Sequence, residues 1–139
     1  MHFANLLDTY RFEKYVLEVA IATLERGGVT SKLATYQLLE PVNRWSFPKY
    51  PSKTAILAPD IDIVEELKTF IQLHEQCLRE PDCSLGTWIN PATKYYYLDI
   101  TMSCADLEEA RREALLISQS EGRKIVAIYN SWCGRTVYL

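Results

Sequence analysis

The chain has 139 residues, of which 48% are apolar and 24% charged. That matches one globular domain, able to bury roughly 68–70% of its unfolded surface, and excludes a disordered chain, which could not offset its ordering entropy. A net charge of −3 gives no general reason to expect nucleic acid, whose binding needs clustered cations. The departure from average is aromatic: nine Tyr, three Trp and four Phe, whose apolar bodies and polar tips suit half-buried sheet faces and partner surfaces.

Residues 3–26 read as a helix. Phe3, Leu6, Leu7, Tyr10, Leu17, Ala20, Ile21 and Leu24 recur at spacings of three and four, and Phe12, Val16 and Val19 form a second apolar face. A helix apolar nearly all round is expected to be central and buried. Gly27-Gly28 supplies its stop.

Leu33 to Leu39 fits a strand, or a helix capped by Thr30 or Ser31, with strand the preferred reading. From Arg44 to Pro51 three prolines bracket an aromatic stretch (Pro41, Pro48 and Pro51), which rules out helix and reads as a loop. Lys53 to Leu57 resumes as a short strand. Residues 29–58 hold four bases, Lys32, Arg44, Lys49 and Lys53, against Glu40 alone.

A second helix is expected from Asp60 or Asp62 to Arg79, its acidic first turns favoured by the helix dipole and its buried stripe running Ile63, Leu67, Phe70, Ile71, His74 and Leu78. Residues 60–82 carry seven acids against two bases, so this segment is expected to lie against the basic loop before it.

The C-terminal half is the most regular. Leu85–Asn90 and Tyr95–Met102 flank a turn rich in Asn and Pro and read as a hairpin, with Tyr95, Tyr97, Asp99 and Thr101 on one face and Tyr96, Leu98, Ile100 and Met102 on the other. Asp106 and Glu109 have capping-box spacing and open a helix that Gly122 closes. Lys124–Tyr129 and Thr136–Leu139 complete a ββαββ order. The expectation is an α+β fold with a mostly antiparallel sheet, one domain over residues 1–139, built from a first part (1–82) and the ββαββ unit (83–139).

Over residues 84–139 the pattern Gly86, Trp88, Pro91, Thr93, Tyr97-Leu98-Asp99, followed by the amphipathic helix and Ile125-Val126-Ala127-Ile128-Tyr129, resembles a small domain of phage and mobile-element proteins and of cyanobacterial hypothetical proteins. The resemblance implies a setting, including inhibition of a host defence factor as one role. It carries no catalytic residue over.

Candidate chemistry is sparse. His74 and Cys77 stand three apart on the second helix with Cys83 beyond, a spacing that fits a thiolate–imidazole pair or two zinc ligands. Both residues of the pair sit on or beside the apolar stripe, where cysteine behaves as a small hydrophobe. Cys77, Cys83, Cys104 and Cys133 show no C-x-x-C pairing, so free thiols and no metal centre are expected. Asp99, mid-strand between aromatics, is the carboxylate placed to receive a cation or hydrogen-bond donor, or else to fix the hairpin through a loop or Arg135. Arg44, Trp45, Lys49 and Tyr50 interleave cations with aromatics, a combination used by interfaces and by single-strand binders.

The expected function is therefore a non-enzymatic protein-interaction or regulatory module without a cofactor. Arg44, Trp45, Lys49, Tyr50, Tyr95 and Tyr97 are its binding surface, a protein partner or a homodimer its assembly. Nucleic acid and membrane are not expected. The alternative is a small hydrolase or transferase centred on Cys77 with His74, or on Asp99. The chain start lacks a basic region and apolar run, so the cytoplasm is the expected location.

Overall fold

A computed structural model of the chain describes residues 3–139. Met1 and His2, part of the start read above for a leader, lie outside the described residues, as do the side chains of Phe3 and Ala4. The elements run α1 (Phe3–Arg26), β1 (Gly28–Lys32), β2 (Gln37–Leu38), β3 (Trp45–Pro48), a 3₁₀ turn (Pro51–Lys53), β4 (Ala55–Leu57), α2 (Ile63–Leu73), α3 (Glu75–Leu78), β5 (Ser84–Ile89), β6 (Tyr96–Cys104), α4 (Leu107–Glu121), β7 (Ala127–Asn130) and β8 (Arg135–Tyr138). The fold is α+β. Its eight strands form one antiparallel sheet in the order β2-β1-β5-β6-β3-β7-β8, with β4 paired to β6.

Two stretches differ from expectation. Leu33 to Leu39 is neither one strand nor a helix: it is the turn of the β1–β2 hairpin followed by the two-residue β2. Turning there requires a positive φ at Tyr36, 54°. The Arg44–Pro51 stretch is not a loop. Its Trp45–Pro48 segment is the strand between β6 and β7, with Trp45 and Phe47 turned inward and Ser46 and Pro48 outward. Proline is tolerated because Pro48, opposite Thr101, does not have to donate to β6: the bond there comes from the Lys49 amide to the Ile100 carbonyl at 2.8 Å. So β3 separates β6 from β7, and the ββαββ unit is contiguous in sequence but not in the sheet.

The long strand β6 shows how the layers are built. Leu98 and Ile100 enter a core cluster with Tyr15, Val16 and Val19 of α1 and Leu67, Phe70 and Ile71 of α2. Further along the same side, Met102 and Cys104 meet Trp45, Phe47, Ala110, Ala114 and Ile128. The helices thus cover one face. Small side chains let α1 approach closely: Thr23 and Thr87 share a hydroxyl hydrogen bond of 2.5 Å, and the Tyr15 hydroxyl lies 2.6 Å from that of Ser31. Burial pushes the Tyr15 phenol up to about 12.

Local signals hold where they were read. Asp62 caps α2 by accepting from the Val64 and Glu65 amides, and Asp106 caps α4 by accepting from Glu109. Gly122 ends α4 with φ 69°. The second helix breaks at His74, whose φ of −117° separates α2 from α3.

Among the described residues the other face of the sheet carries no helix. Thr30 of β1 and Tyr129 of β7 line one cavity there, although three strands stand between theirs. In a flat sheet at 4.7–4.9 Å per strand they would be about 19 Å apart. The sheet must therefore curl, with its helix-free side concave. Side chains on that side are correspondingly small: Ser46, Ser84, Gly86 and Thr101. A Cβ at Gly86 would overlap the Thr101 methyl group, so glycine is what permits the curl there.

Candidate functional site

The concave face holds three adjoining cavities. One of about 220 Å³ lies toward the start of β1 and is bordered by Arg26, Thr30, Glu40, Ser46, Thr101 and Tyr129. The next, about 80 Å³, shares Thr30, Ser46, Thr101 and Tyr129 and adds Trp88 and Asp99. The third, about 130 Å³, shares Trp88 and Asp99 and adds Thr54, Ile56, Tyr97 and Arg123. Shared walls make the three a single groove across the sheet. Its floor is small and polar, and its sides are aromatic.

Asp99 lies where the second and third cavities meet. The Thr54 hydroxyl donates to its Oδ1 at 2.5 Å, and Arg123 donates from Nη1 to the Thr54 carbonyl at 3.3 Å. Burial pushes the Asp99 carboxyl up to about 6, against the opposing pull of the Thr54 hydrogen bond and the Arg123 charge. Trp88 pairs across the strands with Tyr97, ring centroids 5.1 Å apart. Thr54 is therefore Asp99's partner. Of the two sources considered from sequence, a loop supplies the bond, while Arg135 stacks its guanidinium 5.5 Å from the Trp45 ring.

The basic-aromatic stretch turns its chemistry inward. Trp45 is 7% exposed and belongs to the core. Arg44 donates to the hydroxyl and carbonyl of Ser103. Lys49 bridges Glu80 at 2.9 Å and Asp82 at 3.0 Å, and the Tyr50 hydroxyl donates to both oxygens of Glu80. The hydrogen bond to Glu80 pushes the Tyr50 phenol up to about 12, while Lys49 holds the Glu80 and Asp82 carboxyls below their ordinary range. The basic loop and the acidic segment do meet, as their charges suggested. Of the residues proposed as a surface, Tyr97 enters the groove wall and Tyr95, 42% exposed, precedes β6.

His74, Cys77 and Cys83 do not converge on a common cavity among those described. His74 packs edge-on against Phe70 at 4.7 Å, and burial lowers its pKa. Cys77 packs against the first core cluster. Cys83 is fully buried, and desolvation pushes its thiol up to about 11, away from the thiolate that nucleophilic or metal chemistry requires. Glu80, Asp82 and Cys83 offer ligand atoms within 4.8 Å of one another, but the Lys49 ammonium occupies the cationic position between the two carboxylates.

Reasoning from sequence missed Trp88, Tyr129, Thr54 and Arg123. Trp88 was within reach, since strict alternation in β5 puts it on the side of Gly86 and away from Leu85. The other three join the groove only through long-range pairing and the curl of the sheet.

Compared with family models, with curated proteins and with solved structures, the chain matches none. Among the described residues no helix is long and apolar enough to cross a membrane.

Proposed function

We infer that the protein is a non-enzymatic binding module that holds an extended segment of a partner protein in the concave groove of its sheet. The observation that carries this reading is the groove itself, with Trp88, Tyr97, Tyr129 and Asp99 all bordering it. The three cavities follow one another across the sheet and do not form one deep pocket. A row of three suits a narrow chain with side chains placed in turn. Asp99, flanked by Trp88 and Tyr97, supplies an acceptor and aromatic faces for a lysine or arginine side chain.

Display of a random peptide library tests this directly. The wild-type chain is expected to enrich sequences with a basic residue beside an apolar one. Trp88→Ala and Asp99→Asn should lose the selected peptides, while Trp132→Ala, on the exposed β7–β8 turn, should keep them. Peptides retained equally by all three variants would sink the reading.

A second reading has one specific observation behind it. Asp99 and Arg123 border the same cavity, and an acid with a raised pKa beside a cation is a combination used in acid–base catalysis. A hydrolase or transferase of this kind would turn over a member of an ester, phosphoester or glycoside panel, and Asp99→Asn would abolish that turnover without weakening substrate binding by a comparable factor.

A further inference from the structure

Six large apolar side chains are exposed along the outer side of α1. Leu6, Leu7, Tyr10, Leu17, Ile21 and Leu24 are between 48% and 63% exposed. At 100° per residue all six fall within about 100° of arc, the width of a fully apolar stripe. The opposite side of the same helix, Tyr15, Val16, Val19, Ala22 and Thr23, is already buried against the sheet. One face is satisfied by the chain's own fold and the other is not.

We propose that this outer face joins two copies of the chain, their α1 helices packed antiparallel about a two-fold axis. Positions 7, 10, 14, 17, 21 and 24 alternate three and four apart, the spacing of a coiled-coil seam. An axis passing midway between Lys14 and Leu17 sets Leu7 against Leu24 of the second copy, Tyr10 against Ile21, and Lys14 against Leu17. The same alignment brings Arg11 beside Glu18 of the second copy, twice by symmetry. A parallel pairing would instead oppose Lys14 to Lys14 at the centre of the seam and lose the Arg11–Glu18 pairs, while Glu13 is held by Lys68 of its own protomer at 2.6 Å. Charge thus selects the direction.

Area supports a second copy as well. The six exposed side chains amount to roughly 600–700 Å² per protomer, close to the ~800 Å² per partner of an ordinary stable interface and at or above the ~300–600 Å² of the largest patch on a typical monomer. A lipid surface fits less well. Helices that lie on membranes carry a polar face rich in Lys and Arg, whereas Arg11 and Lys14 on this side are balanced by Glu18 and Glu25.

Sedimentation of the full chain over about 1–200 µM tests the proposal, with circular dichroism confirming that each variant is folded. The wild type is expected to dimerise in that range, and Leu17→Asp with Ile21→Asp to raise the dissociation constant at least about 30-fold. Because both positions are exposed in the monomer, the variant should keep its helical spectrum and the melting point that the wild type shows at concentrations where it is monomeric. Arg11→Glu and Glu18→Arg alone should each weaken the dimer about 3–10-fold, and together restore it. A wild type that stays monomeric throughout overturns the proposal, as does a dimer untouched by the aspartates. A monomer that binds phosphatidylcholine–phosphatidylserine vesicles through the stripe overturns it in favour of a membrane surface. Singles that weaken the dimer but are not rescued by the pair overturn the antiparallel arrangement.

Discussion

The strand β6 presents two surfaces that obey different rules. Tyr96, Leu98 and Ile100 are buried under the helices, while the alternate residues Tyr97, Asp99 and Thr101 border the groove on the opposite face. On the covered side, shape and apolar volume decide which residue is acceptable. On the concave side the curl of the sheet decides, admitting glycine, serine and threonine at the floor and aromatics at the walls. One face is held for stability and the other is left available, and substitutions should therefore separate them.

The largest expected effect lies on the covered face. Leu98 is fully buried at the junction of β4, β5 and β6, so Leu98→Ala should cost about 2–5 kcal/mol through lost transfer energy and an unfilled cavity. Trp88→Ala, across the strands on the open face, should cost under about 1 kcal/mol in the same urea titration while removing peptide binding altogether. Equal losses for the two would mean that the groove is packing surface after all.

Next comes Asp99, whose two roles have opposite signs. Its folded pKa of about 6 lies above the ordinary value of 3.8. A raised acid contributes stability that is complete below the unfolded value, near pH 4, and is lost as pH rises through about 6. Two units correspond to at most about 3 kcal/mol of penalty at pH 7. Asp99→Asn should therefore be more stable than wild type at pH 8 and about equal to it at pH 4, by chemical denaturation. His74, lowered by burial, and Glu80 and Asp82, lowered by Lys49, titrate in both proteins and cancel in the difference. If Asp99 instead only fixes the hairpin, Asn should be less stable at every pH. In wild type, affinity for basic peptides should also strengthen as pH rises through 6. An acid retained at a cost to the fold is characteristic of a working site.

Much of this face was legible from alternation alone. Period two in Tyr95–Met102 puts Tyr97 and Asp99 on the side opposite Leu98, and the capping pattern at Asp106 and the glycines at 27 and 122 mark their helix ends correctly. What failed did so for physical reasons. Trp45–Pro48 looked like loop because proline weighs against strands, yet Pro48 removes no bond to β6, since the Lys49 amide supplies the one to Ile100. Helix α1 has two apolar faces, and periodicity cannot say which one meets the sheet. The face of small and β-branched residues does, because it permits close approach. The groove depends on curl, a property of strands far apart in sequence, so Thr54, Arg123 and Tyr129 carried no local signal.

The smallest effect concerns the basic-aromatic stretch, which the sequence offered as a surface and the fold uses as a tie. Lys49, Tyr50, Glu80 and Asp82 lie near the surface and are partly hydrated, so their ion pairs are screened. Lys49→Met should cost about 0.2–1 kcal/mol at pH 7. The carboxyls it pairs with are held below their ordinary range, so their contribution is present above about pH 4 and lost as pH falls through the folded values. The deficit of Lys49→Met should accordingly shrink as pH falls below about 4, and peptide binding should be unchanged at pH 7. A Lys49→Met protein that folds normally and loses the selected peptides would move the binding surface from the concave groove to this loop, because the charge would then be serving a partner and not Glu80.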